Sequence, residues 1–274
     1  MQLNSVSVYF EDTITGEASL SYAADLAARL GAHLKVIVLT DSRREARLPG
    51  KIDARASLCR RVETAVALKT GLKPLTQFSI VCSDLASEHC ERPAEPGGIL
   101  VSRLDPLTQT LAHHSRVVPV IASYDEMSVC GRCASGPVLI PFGDEESGLH
   151  GAAVGLPLAR YLGLPVVFYH TTWKDESVAS ENAMDHMCQA ARGILDRLVS
   201  RACPGGVAHR LVIETADDVV EGMLHCAMRE QASMIVLARG PRTGLGSYVS
   251  QSLAQSPIPV VVAPGALLPE GGVS

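Results

Sequence analysis

With 274 residues, 47% apolar and 19% charged, the chain can bury the cores of two ordinary domains, which excludes a disordered or fibrous protein. Its net charge of −5 comes without a basic run longer than pairs such as Arg43-Arg44 and Arg60-Arg61, which argues against nucleic acid or an anionic membrane surface as a partner. The opening MQLNSVSVYFEDTITGE lacks the basic flank and apolar stretch of a secretory signal, and no apolar run approaches the span of a bilayer, so a cytoplasmic location is expected.

In chain order, Ser5–Phe10 alternates, is rich in valine and aromatics, and predicts a first strand ending in the polar turn Glu11-Asp12-Thr13. Ala18–Leu30 places Leu20, Ala23, Ala24, Ala27 and Leu30 at helical spacing, and Gly31 is a natural terminator. Leu34–Leu39 is a mostly apolar run of the kind buried inside a parallel sheet. A charged loop from Asp41 to Ala54 leads to a helix over Ala56–Thr70, stopped by Gly71. Phe78–Cys82, Ile99–Ser102 and Val118–Ala122 read as three further strands, with short helices at Leu85–Glu91 and around Thr108–His114. Such alternation predicts a doubly wound α/β sheet.

Tyr124–Gly136 breaks the alternation, after which the pattern starts again. The domains are therefore placed at residues 1–125 and 137–265, with a linker over 126–136. Val138–Phe142 matches Val6–Phe10 at a displacement of 132 residues, which also sets Asp144 on Asp12. At the same displacement Leu158, Ala159, Leu162 and Gly163 fall on Leu26, Ala27, Leu30 and Gly31. Leu164–Tyr169 is a strand, Ser180–Arg201 a long amphipathic helix, and Arg210–Glu214 a strand. A helix follows over Asp218–Gln231, with Asp217 as its N-cap. The closing stretch reads as a buried strand (Met234–Ala238), a Gly/Pro/Arg/Thr turn, a helix opened by Gly246-Ser247, and a strand at Pro259–Ala263. Its order echoes Ile99–Ser123.

A βαβαβ(α)βαβ unit of this size, repeated once, resembles the tandem universal stress proteins. The features that carry the resemblance are the acidic turn Phe142-Gly143-Asp144-Glu145-Glu146, the helix end LARYLG before the strand LPVVFYH, and the tail SMIVLARGPRTGLGSYVSQSLAQSPIPVVVAP. The resemblance implies two tandem doubly wound domains of Rossmann-like, adenine nucleotide alpha hydrolase-like fold, each a mainly parallel five-stranded sheet flanked by helices. It also implies a pseudo-two-fold within the chain and protein partners or self-association as a homodimer.

In ATP-binding members the closing segment carries G-x2-G-x9-G-[ST], whose glycines let the backbone approach ribose and phosphate. Here the leading glycines are replaced by Ala238 and Pro241, and only four residues separate Pro241 from Gly246. Proline also removes an N–H from the phosphate cradle. In the first half the corresponding turn, Ser102-Arg103-Leu104-Asp105-Pro106, has no glycine, and its Asp105 repels phosphate. The candidate ligand positions implied are Phe142, Gly143 and Asp144 after the first strand of the second half, with Ala238, Arg239, Gly240, Arg242, Gly244, Gly246 and Ser247 in the closing segment. Asp144 and Asp12 each have the plainer reading of a solvated turn carboxylate, and the two arginines that of surface charges.

Eight cysteines accompany these features. Cys130-Gly-Arg-Cys133 supplies two of the four ligands that structural zinc requires, or a dithiol, or an exposed pair without function. His113, His114, His170 and His186 stand apart from any carboxylate or thiol motif, and no nucleophile is paired with a base. The expectation is thus a stress-response binding or regulatory protein that is not an enzyme and does not depend on ATP. The alternatives are an ATP-binding switch or slow ATPase in the second half, and a thiol- or zinc-linked sensor at Cys130 and Cys133.

Overall fold

Apolar runs of four to eight residues are too short to form core helices and become parallel strands. The computed structural model describes residues 3–10, 14–40, 51–69, 78–84, 98–103, 120–123, 135–173, 181–202, 207–239 and 247–264. The chain divides into two compact units with the boundary between Val129 and Cys130.

The first unit contains β1 (Ser5–Phe10), α1 (Ile14–Leu30), β2 (His33–Thr40), α2 (Lys51–Lys69), β3 (Phe78–Asp84), β4 (Gly98–Arg103) and β5 (Val120–Ser123). Its strands pair in the order β3-β2-β1-β4-β5, all parallel. Val6, Val8, Leu34, Val36, Ile99, Leu100 and Val101 are fully buried, as expected of central strands covered on both faces. Helix α1 buries Leu20, Ala23, Ala24 and Ala27 and ends where Gly31 turns into the left-handed region at φ 62°. Helix α2 begins at Lys51, inside the stretch expected to be loop. Its first turn mixes charged Lys51 and Asp53 with Ile52, and Val62 and Val66 are its buried residues among those described, so apolar periodicity gives no sign of the early start. The helices expected at Leu85–Glu91 and Thr108–His114 lie outside the described residues.

The second unit contains β6 (Val138–Pro141), α3 (Glu145–Leu162), β7 (Val166–Trp173), α4 (Glu181–Ala202), β8 (His209–Ala216), α5 (Val219–Arg229), β9 (Met234–Ala238), α6 (Ser247–Gln255) and β10 (Val260–Ala263). The strands pair in the order β10-β9-β6-β7-β8, again all parallel. Val138 pairs with Val166 here as Val6 pairs with Leu34 in the first unit, a displacement of 132 residues in both strands. Gly163 sits at φ 68°, the counterpart of Gly31.

Helices cover both faces of this second sheet. On one face Gly151 and Gly155 of α3 let the helix close on Ile140, where an added Cβ would meet side-chain atoms at 3.1 and 2.5 Å. On the other, Gly222 of α5 lies over Tyr169, one residue along from Phe168, which is in register with Ile140. The period-two alternation of β7 therefore separates the helix pair α3/α4 from the pair α5/α6.

Candidate functional site

The carboxyl edge of the second sheet opens into a cavity of about 410 Å³. It forms because β7 runs on past β6: Pro141, the last residue of β6, is in register with Tyr169, and β7 continues to Trp173 beside β8. Ligands of open α/β sheets bind at this edge.

Three helices begin at the cavity, and two have their first turn closed by an aspartate. Asp144 is the N-cap of α3, its carboxylate accepting from the Ser147 N–H at 2.7 Å within a reciprocal capping box. Asp218 caps α5 in the same way, accepting from Val220 N–H at 2.7 Å and Glu221 N–H at 2.9 Å. The N-cap is thus Asp218 rather than Asp217, because α5 starts one residue later than the sequence pattern suggests. Each carboxylate consumes the N–H groups and opposes the dipole that would otherwise attract an anion. Helix α6 differs: its first turn has no acidic residue, and it opens on the exposed Ser247.

Pro141, Phe142 and Gly143 line the cavity from the end of β6, Leu237 and Ala238 from β9, Ser147 and Val219 from helix starts, and Tyr248 from α6. The structure thus brings the expected Phe142, Gly143 and Ala238 to one place, with Ser247 directly before the lining Tyr248. Asp144 is beside the cavity as a helix cap, a role that neither the ligand nor the solvated-turn reading contained. Arg239 is buried, and its N–H donates to the Ala263 carbonyl at 3.0 Å. Gly240, Arg242, Gly244 and Gly246 lie outside the described residues, as do Asp12, Cys130 and Cys133.

Sequence reading missed Pro141, Ser147, Val219, Leu237 and Tyr248 of the lining, and with them the consecutive Tyr169, His170 and Thr171 of β7. The His170 Nδ1 lies 2.9 Å from the Phe142 carbonyl oxygen. A carbonyl only accepts, so Nδ1 carries the proton, and in the neutral ring Nε2 is left as an acceptor. The imidazole also lies against the Phe142 ring, centroids 5.1 Å apart and planes 31° from parallel. The Tyr169 hydroxyl and Thr171 Oγ1 are buried. Thr171 is near enough to favour the ionised form of Tyr169, but the pair lacks hydrogen-bond geometry and neither finds another partner. Burial is the larger influence on Tyr169 and raises its pKa, with Glu214 and Cys226 acting the same way. An orphaned buried hydroxyl costs about 1–3 kcal/mol. Tyr248, by contrast, donates to the Met223 sulfur at 2.9 Å, and burial followed by Tyr169 and Asp218 raises its pKa, so it remains a neutral phenol.

Among the described residues no charged side chain lines this cavity, and no cluster of three or more His, Cys, Asp or Glu is placed to hold a metal ion. Cys226 is buried in α5, where desolvation pushes its thiol up to about 11 and keeps it protonated. No described helix is long and apolar enough to cross a membrane.

No protein-family model matches the chain, and no curated protein does. Solved structures do. A universal stress protein from Archaeoglobus fulgidus superposes with a TM-score of 0.70 at 15% identity, covering 96% of this chain and 99% of that one. A putative universal stress protein from Pseudomonas aeruginosa UCBPP-PA14 gives 0.61 at 15% identity, with 95% and 93% covered. The fold is that of universal stress proteins. It is also shared with the cytoplasmic domain of a prokaryotic cation chloride cotransporter, at a TM-score of 0.53, 12% identity, and 98% and 100% coverage.

Proposed function

We propose that this protein is a cytoplasmic, non-catalytic binding or regulatory module of the tandem universal stress protein type, and that it works without ATP. Duplication of one ancestral unit accounts for the matching strand orders, the common register and the paired left-handed glycines. The observation that carries the ATP-independent reading is the occupation of two helix N-termini at the cavity by Asp144 and Asp218. A triphosphate brings several negative charges, and the described lining offers it two capped helices and no cation. Ala238, Pro241 and the short loop to Gly246 support the same reading from the sequence. Protein partners are then the expected output of ligand occupancy.

The first turn of α6, which has no acidic residue and begins with the exposed Ser247, favours a second reading in which one nucleotide binds in this unit as a switch or slow ATPase substrate. The two are separated by denaturing the purified protein and chromatographing what it releases. The first reading expects no adenine nucleotide; stoichiometric ATP or ADP would establish the second.

A further inference from the structure

We propose that the outer edge of β8 is a self-association surface, on which two copies of this chain pair antiparallel about Val212. The inference is independent of what the cavity holds.

Among the described residues β8 pairs with β7 alone, so it is the outermost strand of the second unit and leaves one edge of eight residues unpaired. The Val166 N–H donates to the Ala208 carbonyl at 2.8 Å, which fixes the phase of the parallel ladder. The even-numbered residues of β8 turn their N–H and C=O groups to β7, and His209, Leu211, Ile213 and Thr215 turn theirs outward. An unpaired edge is a template for another chain, and here it carries the half-buried apolar run Leu211-Val212-Ile213.

The charges flanking that run have opposite sign. Arg210 lies two residues before Val212, and Glu214 two residues after it. A two-fold at Val212 sets Arg210 opposite Glu214 of the second copy, and Leu211 opposite Ile213. The outward-turned Leu211 and Ile213 then make the hydrogen-bonded pairs. Arg210 and Glu214 fall on a non-hydrogen-bonded pair, where side chains come closest. Moving the two-fold to Leu211 or Ile213 still matches the outward groups but leaves neither charge facing its opposite. Within one chain Arg210 is ion-paired with Glu230 and Glu214 with Arg229, both at the end of α5. A guanidinium has five donors and a carboxylate two oxygens, so each group can add the contact across the two-fold and keep its own. The outermost strand of the first unit lacks this symmetry: turning Phe78–Asp84 about Val81 sets Phe78 against Asp84 and Ser79 against Ser83.

The test is sedimentation velocity of the full chain, of Arg210→Glu, of Glu214→Arg, and of the two variants mixed in equal amounts. Wild type is expected to be a dimer at tens of micromolar. Each variant alone sets like charges opposite one another and should dimerise at least about tenfold more weakly. The mixture restores both opposite-charge pairs and should form a heterodimer. Melting curves show that each variant is folded; if one is not, hydrogen exchange on wild type carries the test, since the Leu211 and Ile213 amides should exchange more slowly as protein concentration rises. A monomeric wild type, a dimer indifferent to both substitutions, a mixture that stays monomeric, or exchange at these two amides that ignores concentration would overturn the proposal.

Discussion

The two units share a strand order and a register, and they differ where strand two reaches the carboxyl edge. Near the end of this strand the first unit carries Ile37-Val38-Leu39 where the second carries Tyr169-His170-Thr171. Ile37 and Val38 are core, whereas the second unit has hydrogen-bonding groups here, of which the Tyr169 hydroxyl and Thr171 Oγ1 are buried without a partner. A further contrast lies at the entry to the first strand. Asn4 is exposed in the first unit, whereas its counterpart Gly136 is tight against the Gln231 carbonyl, which a Cβ would approach to 1.8 Å. Two frames of one strand order can therefore differ in the residues they place near the carboxyl edge.

Trp173, the only tryptophan in the chain, lies in β7, so its fluorescence follows the unfolding of the second unit. The largest effect is expected from making the second unit resemble the first at its entry. Gly136→Asn forces a side chain onto backbone and should lower stability by about 3 kcal/mol in urea titrations, the upper end for overpacking. A wild-type midpoint would show that the entry strand is free to move.

Smaller changes probe the cavity. Tyr169→Phe removes an orphaned buried hydroxyl and should raise the stability of the unliganded protein by about 1 kcal/mol, whereas a loss would mean that the hydroxyl has a partner. Asp144→Ala should cost about 1 kcal/mol as the loss of a helix cap. If Asp144 serves only a ligand, its removal would leave unliganded stability unchanged.

The smallest effect concerns the tie between α3 and α4. Arg197 donates to Glu145 at 2.8 Å and Arg201 at 3.3 Å. The Arg197 hydrogen bond holds the Glu145 carboxyl below its ordinary value of 4.5, with burial opposing and Arg201 assisting. A depressed folded-state value contributes stability above the unfolded value that is lost as pH falls through the folded one. Acid titration of wild type and Arg197→Ala should show a slight advantage for wild type at neutral pH that disappears below the carboxylate range. An advantage that grows in acid would contradict the pairing.

Much of the frame was legible in the residues because parallel strands buried on both faces are written as continuous apolar runs. Met234–Ala238 and Phe78 onward are examples, although β3 and β8 each run two residues beyond the expected end. Helix α3 was harder to read. Gly148, Gly151, Gly155 and Pro157 lower its intrinsic propensity, and close packing on Leu198, Phe142 and Ile140 explains the three glycines. The acidic turn after β6 is the start of that helix, a fact carried by the Asp144–Ser147 capping box and not by charge. Phe142, Gly143 and Ala238 could be placed near the cavity from the family pattern. Tyr169, His170 and Thr171 could not, since each alone is an ordinary strand residue. The available signal was their departure from Ile37, Val38 and Leu39 at the displacement of 132 residues already found in the sequence.

The most direct test of the account is calorimetric titration of ATP into the intact protein and into Ser247→Ala. The account predicts no binding heat for either protein at millimolar ATP. Micromolar binding by the wild type, weakened by the loss of the Ser247 hydroxyl, would contradict it and make the first turn of α6 part of a nucleotide site.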